Sequence, residues 1–296
     1  MTNAMRRFAV WVSARRYRLI LLAIACINYL PPISAALIVL DMLRRGPSAG
    51  AISILSIGAG TLLIAVLVNE PVVQSISLTF PVLLAAGVSA GLLGWSRNLS
   101  LAFQLTVIGS IVLTLFVFVL IPEAAQIGAY LKNEVGTLLE TGGASAEQLL
   151  AWQSLEPSAF TSVLLISSLG FIVTGLFLGF WWYTLTIEGV SFGAEFRELK
   201  LGLVTGIVLM VLVTANQLFD AELIGYLAAL AVLGFLFQGL AVLHARSHQD
   251  KWPFGVILMV YLLLVSPLYL YVFMGICAIG LLDNFFSLRR QPPRDN

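Results

Sequence analysis

Histidine and cysteine are the side chains best suited to hold a metal or to do acid–base and nucleophilic work, and this chain has two of each. His244 and His248 stand four apart, so on a helix they share a face and could pair on a metal ion. The residues between them, Ala245-Arg246-Ser247, lack the glutamate of a metalloprotease motif. The pair also falls at the end of an apolar run, where a solvated loop is the expectation. Cys26 and Cys277 both lie inside apolar runs, a placement that suggests neither a disulfide framework nor a thiolate metal site. No Gly-rich phosphate loop with its lysine, no nucleophile elbow and no run of metal-spaced carboxylates occurs anywhere. The sequence therefore predicts a chain that is not an enzyme and takes no metal or other cofactor.

Polar groups in or beside apolar runs carry a different kind of information, because hydrocarbon penalises them unless they are partnered or line a cavity. They fall into two sets. Glu70, Ser167, Asn216, Gln217 and Asp220, with Asn69, Gln74, Ser168 and Glu222 nearby, cluster at one set of run ends. These are the candidate substrate-binding residues, and their carboxylates favour a neutral or cationic solute. Trp181-Trp182-Tyr183, then Glu188, Glu195, Arg197, Glu198 and Lys200, with Asp283 further on, mark the opposite ends. The aromatics read as an interfacial belt. Glu195 and Arg197 are expected to hold a structural inner loop by charge pairing rather than to bind a ligand.

The elements that must position these residues are set by composition. Of 296 residues, 59% are hydrophobic and 10% charged, against roughly 45–50% and about 25% in soluble domains. The mean hydropathy is +0.98. A formal net charge of +1 offers no basic field for nucleic acid. The partner indicated is the lipid bilayer. A spanning helix needs about 20 mainly apolar residues, and six clear runs qualify: Ala49 to Val68, Ser75 to Trp95, Leu99 to Ile121, Thr161 to Thr186, Leu199 to Gln217 and Ala221 to Leu243. Two further stretches, Leu19 to Leu43 and Phe254 to Phe286, are broken by Pro31-Pro32 and by Pro267. The fold class is thus an all-α polytopic transmembrane bundle of eight apolar segments, in one integral membrane domain over residues 1–296. Each terminal stretch is either one kinked crossing or two short ones.

Lys and Arg near span ends stay on the cytoplasmic side, and this rule favours two crossings in both terminal stretches. With that threading every basic residue except Lys132 is cytoplasmic, both termini included, while Glu70, Asp220, Glu222 and the glutamates from Glu123 to Glu156 face outward. The extracytoplasmic segment 122–160 has helical spacing on either side of Gly142-Gly143, which predicts two short helices able to cap a cavity. Glycines recur every four positions at Gly87 and Gly91, Gly175 and Gly179, and Gly202 and Gly206. Such stripes let helices approach closely, mainly within the chain and alternatively against another membrane subunit.

The C-terminal run from Gly275 to Arg290, ending Gly280-Leu281-Leu282-Asp283-Asn284-Phe285-Phe286-Ser287-Leu288-Arg289-Arg290, resembles the ending of the YybS-like family of bacterial inner-membrane proteins. Leu43-Arg44-Arg45-Gly46-Pro47-Ser48-Ala49-Gly50 and Glu195-Phe196-Arg197-Glu198-Leu199-Lys200-Leu201-Gly202 resemble recurring segments of the same family. A more distant likeness is to the S components of energy-coupling-factor vitamin transporters. It rests on Pro31 to Leu43, then Gly46-Pro47, then Gly50 to Gly60. The chain departs from those proteins in its extra spans and in lacking a clear AxxxA in the first helix, the feature that docks their coupling subunit. The first resemblance implies a bacterial inner-membrane protein and no particular activity; with the likeness to S components, the expectation is a transporter component that captures a small solute on the outer side and relies on membrane partner subunits for energy. The alternative expectation is a scaffold for an envelope or division complex.

Overall fold

The computed structural model describes residues 2–68 and 72–289. Glu70 and Asn69, together with Arg290 and Arg294, lie outside the described residues. Every regular element among the described residues is helical. Helices α1 (Thr2–Ala14), α2 (Arg16–Cys26) and α3 (Pro31–Arg45) are followed by α4 (Pro47–Leu67), α5 (Val72–Ser96) and α6 (Leu99–Leu120). A 3-10 turn, Pro122–Gln126, opens the segment that carries α7 (Ile127–Thr141) and α8 (Ala146–Gln153). Then come α9 (Pro157–Thr184), the short α10 (Phe192–Arg197), α11 (Leu203–Leu218), α12 (Glu222–Gln249), α13 (Phe254–Leu264) and α14 (Tyr269–Phe286).

Five of these helices, α4, α6, α9, α12 and α14, are long and apolar enough to cross a membrane. Phe80–Ser96, α11 and α13 are shorter apolar helices. The run from Leu199 departs from a simple span, because Leu199 to Gly202 are not helical. Leu199 and Leu201 are fully buried in the bundle, so their apolar character reflects packing inside the protein. Gly202 takes a φ of +77° just before α11 begins, a left-handed conformation that favours glycine.

Both proline-broken stretches form helical hairpins. Pro31 and Pro32 occupy the first turn of α3, where their missing donors cost nothing, and residues 27–30 turn the chain back on α2. Arg16 at the start of α2 pairs with Asp41 near the end of α3 at 3.4 Å, so the hairpin leaves and returns to one end. At 11 and 15 residues, α2 and α3 rise only about 16 and 22 Å, less than a hydrocarbon core of about 30 Å. Pro267 lies in the turn that joins α13 to α14.

A chain of contacts gathers the basic residues at this same end. Met42 and Leu43 of α3 meet Gly91 and Gly94 of α5. Ser100, at the start of α6, donates to the Glu198 carbonyl at 3.2 Å. Arg289 reaches the Arg197 carbonyl at 2.6 Å, and Phe196 lies against His244 of α12. The opposite end holds α7, where Gly128 packs on Pro157 and Thr161. There Lys132 donates its ammonium to the carbonyls of Gln153 and Leu155, both at 2.7 Å, and so closes α8.

The small-residue stripes turn inward. A Cβ on Gly175 would meet Ala35 of α3 at 2.4 Å, and one on Gly179 would meet the Ala36 carbonyl at 2.5 Å. Gly239 and Gly280 likewise bring α12 and α14 to backbone contact, while Gly87 receives Ile54 and Gly206 receives Asn284. The aromatic belt also differs from a lipid-facing one. Trp182 is buried and meets Phe8 of α1 edge-on at 5.3 Å, which draws the N-terminal helix across the end of α9.

Candidate functional site

At the basic end α10 stops at Arg197 and residues 199–202 lie in neither helix nor strand. The Glu198 and Leu199 amides still bond back to α10 carbonyls, but the carbonyls from Arg197 to Lys200 and the amides of Lys200 and Leu201 must find other partners. Side chains from three directions supply them. Ser100 of α6 donates to the Glu198 carbonyl and accepts from the Lys200 amide at 3.2 Å. Gln104 donates to the Lys200 carbonyl at 2.8 Å. Gln238, fully buried in α12, accepts the Leu201 amide at 2.9 Å. Arg289 donates to the carbonyls of Arg197 and Leu199, both at 2.6 Å.

Arg289 and Gln238 are themselves tied together by Asp283. Its Oδ2 accepts from the Arg289 guanidinium at 2.9 Å and from the Gln238 amide at 2.9 Å. Burial pulls the Arg289 pKa down, and the adjacent Asp283 carboxylate opposes that shift. Among the described residues Asp283 Oδ1 and Arg289 Nε are buried without a hydrogen-bond partner, so this pair is held by fewer bonds than its burial invites.

The anchored segment fixes α10 over α9 and α12, and between them lies a cavity of about 430 Å³. Its walls are aromatic. Phe177 of α9 meets Phe196 of α10 at 5.4 Å and Phe237 of α12 at 5.6 Å, both edge-on. Phe196 in turn stacks with Phe192 at 5.6 Å. His244 closes one side, 5.4 Å from Phe196 and 6.0 Å from Tyr261 of α13. Its Nδ1 donates to the Leu240 carbonyl at 2.8 Å, which leaves Nε2 for another partner. Arg197 lines the same cavity, and its guanidinium lies over Gly193, where a Cβ would come within 3.2 Å.

His244 is a half-buried helical residue in the cavity wall, while His248 is exposed one turn on. Among the described residues no group of three His, Cys, Asp or Glu side chains converges on a metal-sized site. Glu195 and Arg197 share α10, yet neither forms an ion pair among the described residues. The loop is held through the backbone of Arg197 and the side chain of Arg289. Asn216, Gln217 and Asp220 are exposed around the end of α11, and Ser167 is half-buried on α9. Helices α9 and α11 each pack on α12 without extensive contact with one another, so Ser167 is not joined to the other three. None of these four lines the aromatic cavity.

A second buried carboxylate stands at the same end. Asp41 is fully buried in α3 and is held by Arg45, by Arg16 at 3.4 Å and by the Ser53 hydroxyl at 2.7 Å. Arg45 also donates to the Ser13 carbonyl at 2.6 Å, and Arg44 to the Ser13 hydroxyl. The cluster fastens α1, α2, α3 and α4 together. Gln238, Asp41 and Ser53 gave no motif, and the one available signal was their isolation as polar residues inside apolar runs. Segment 122–160 forms the two helices expected of it, and a smaller cavity of about 280 Å³ lies between them, bordered by Lys132 and Trp152.

No protein family matches this chain, and neither a curated protein nor a solved structure matches it.

Proposed function

We propose that this chain is a non-enzymatic protein of the bacterial inner membrane that binds a small solute within its helix bundle, as a component of a transport system powered by partner subunits. The observation that carries the reading is the aromatic cavity of about 430 Å³, within the range of roughly 300–1,000 Å³ typical of small-molecule sites. Aromatic walls with a few convergent polar groups, here Arg197, His244 and Tyr261, are the usual composition of such sites. In this reading the solute sits at the basic end, in the aromatic cavity, which none of Ser167, Asn216, Gln217 and Asp220 lines. An assembly scaffold is less well supported, since the glycines of the recurring stripes, Gly87 and Gly91, Gly175 and Gly179, and Gly206, are covered by the chain's own helices.

The test is ligand-dependent thermal stabilisation across a broad metabolite set. A solute at a hundred times its Kd should stabilise the fold by about 2.7 kcal/mol. Thr174→Trp, at an exposed position on the cavity edge, should abolish that gain and leave the unliganded melting temperature unchanged. If nothing stabilises the wild-type protein, the scaffold role is the one that survives.

The basic end is assigned to the cytoplasm by the charge rule, with both hairpins crossing and returning and both termini inside. In a variant lacking Cys26 and Cys277, an impermeant thiol reagent applied to intact cells should label Gly142→Cys and spare Glu188→Cys. Labelling of position 188 alone would invert the orientation.

A further inference from the structure

We infer that the ligand of the aromatic cavity is a single-chain amphiphile with a carboxylate head, and that Arg197 receives the head; this deepens the solute-binding reading and rests on it. The first observation is the shape of the site. Its lining runs from Trp181 back to Thr174 along α9 and from His244 back to Phe237 along α12, about 10 Å of depth on each helix at 1.5 Å per residue. The charged group, Arg197, stands at the basic end, and phenylalanines line the slot beyond it. A head at one end and a chain along the other matches that polarity.

The second observation concerns charge. Arg16, Arg45 and Arg289 at this end are committed to buried aspartates. Among the described residues Arg197 forms no ion pair or side-chain hydrogen bond, and none of those that line the cavity is an aspartate or glutamate. A guanidinium offers two parallel donors that match a carboxylate, so the uncompensated charge selects an anion. His244 Nε2 is a second polar group on the same wall.

The third observation is access. Thr174 and Tyr261 are exposed beside the slot, which is therefore open sideways between α9 and α13. An apolar chain can enter from the bilayer without crossing water. A cavity of about 430 Å³ lies toward the small end of ligand sites, which favours one chain over the two of a phospholipid.

The experiment uses the full chain in nanodiscs of phosphatidylcholine, with the fluorescent fatty acid parinaric acid as probe and energy transfer from tryptophan as the signal. Hexadecanoate should displace the probe about tenfold or more better than hexadecanol or hexadecylamine, the effect of one charge-assisted hydrogen-bonded contact. Arg197→Gln should erase that preference and still bind hexadecanol, and Arg197→Lys should restore part of it. The substitution spares the anchor, because Arg289 holds the Arg197 carbonyl and not its side chain. Equal displacement by the three chains would overturn the carboxylate and leave the solute pocket standing. Selectivity that persists in Arg197→Gln would overturn the role of Arg197. Transfer unaffected by Thr174→Trp, or absent from the wild type, would overturn the amphiphile. Only if the metabolite screen also failed would the solute-binding reading fall with it.

Discussion

Replacing Asp283 with alanine is expected to destabilise the protein by about 3–5 kcal/mol, read as a loss in unfolding free energy in mild detergent. Removing one partner from a buried ion pair leaves the other charge uncompensated in a low-dielectric site, and that penalty sets the size of the effect. The Asp283 side chain is fully buried and that of Arg289 is 8% exposed, so water cannot take over the role. The loss spreads beyond the pair, because Gln238 donates to the same carboxylate oxygen. The double variant Asp283→Leu with Arg289→Leu should recover part of the stability, since no buried charge is left behind. It should not recover all of it, because the carbonyls of Arg197 and Leu199 lose their donor. The half-exposed Arg246–Asp250 pair, at 3.7 Å, belongs to the class worth under about 1 kcal/mol. A comparably small effect at Asp283 would mean that the 197–201 segment is held by something else.

Gly239→Ala and Gly280→Ala form the second prediction, and each should lower stability at or above the upper end of the roughly 1–3 kcal/mol usual for overpacking. The added Cβ would lie 2.0 Å from the Ile276 carbonyl oxygen or 2.1 Å from the Phe235 carbonyl oxygen. Those are backbone atoms, which cannot rotate aside as a side chain can, so α12 and α14 would have to separate. The two glycines face each other, with the Gly239 amide 2.8 Å from a Cβ on Gly280. Once the helices have parted for one methyl the second costs less, and the double variant should fall short of the sum. Gly109 and Gly275 provide the control. Among the described residues a Cβ there meets nothing within 4 Å, so alanine should stabilise by about 0.5–1 kcal/mol through helix propensity alone. Destabilisation of equal size at all four positions would remove the close-packing argument.

The helices were legible in the sequence because a twenty-residue apolar run between charges has few alternatives, and α4, α6, α9 and α12 follow those runs closely. The hairpins were legible from Pro31-Pro32 and Pro267, and from arginines that needed to share an end. Leu199 to Gly202 were not, since hydropathy reports burial without reporting backbone conformation, and the side chains that satisfy this backbone come from positions up to a hundred residues away. The site was hidden for the same reason. Asp283 and Gln238 are 45 residues apart, and Phe177, Phe196, Phe237 and His244 belong to three helices with no shared spacing. Each phenylalanine alone is indistinguishable from core. Arg197 drew notice in the sequence, but its neighbour Glu195 suggested an internal pair, and a pattern two residues apart does not fix which way a guanidinium turns.

The distance between Arg289 and the segment it secures also sets a clock. Leu199 precedes its donor by 90 residues, which at roughly 5–20 residues per second of synthesis is on the order of 5–18 seconds. Through that interval the Leu199 and Arg197 carbonyls have no guanidinium, and α10 has no firm seat over the future cavity. The aromatic pocket is consequently a late product of biogenesis, assembled only when α14 has docked on α12. Any delay between the insertion of α12 and that of α14 would leave an unfinished protein with its polar backbone uncovered, a form that membrane quality-control proteases are suited to remove.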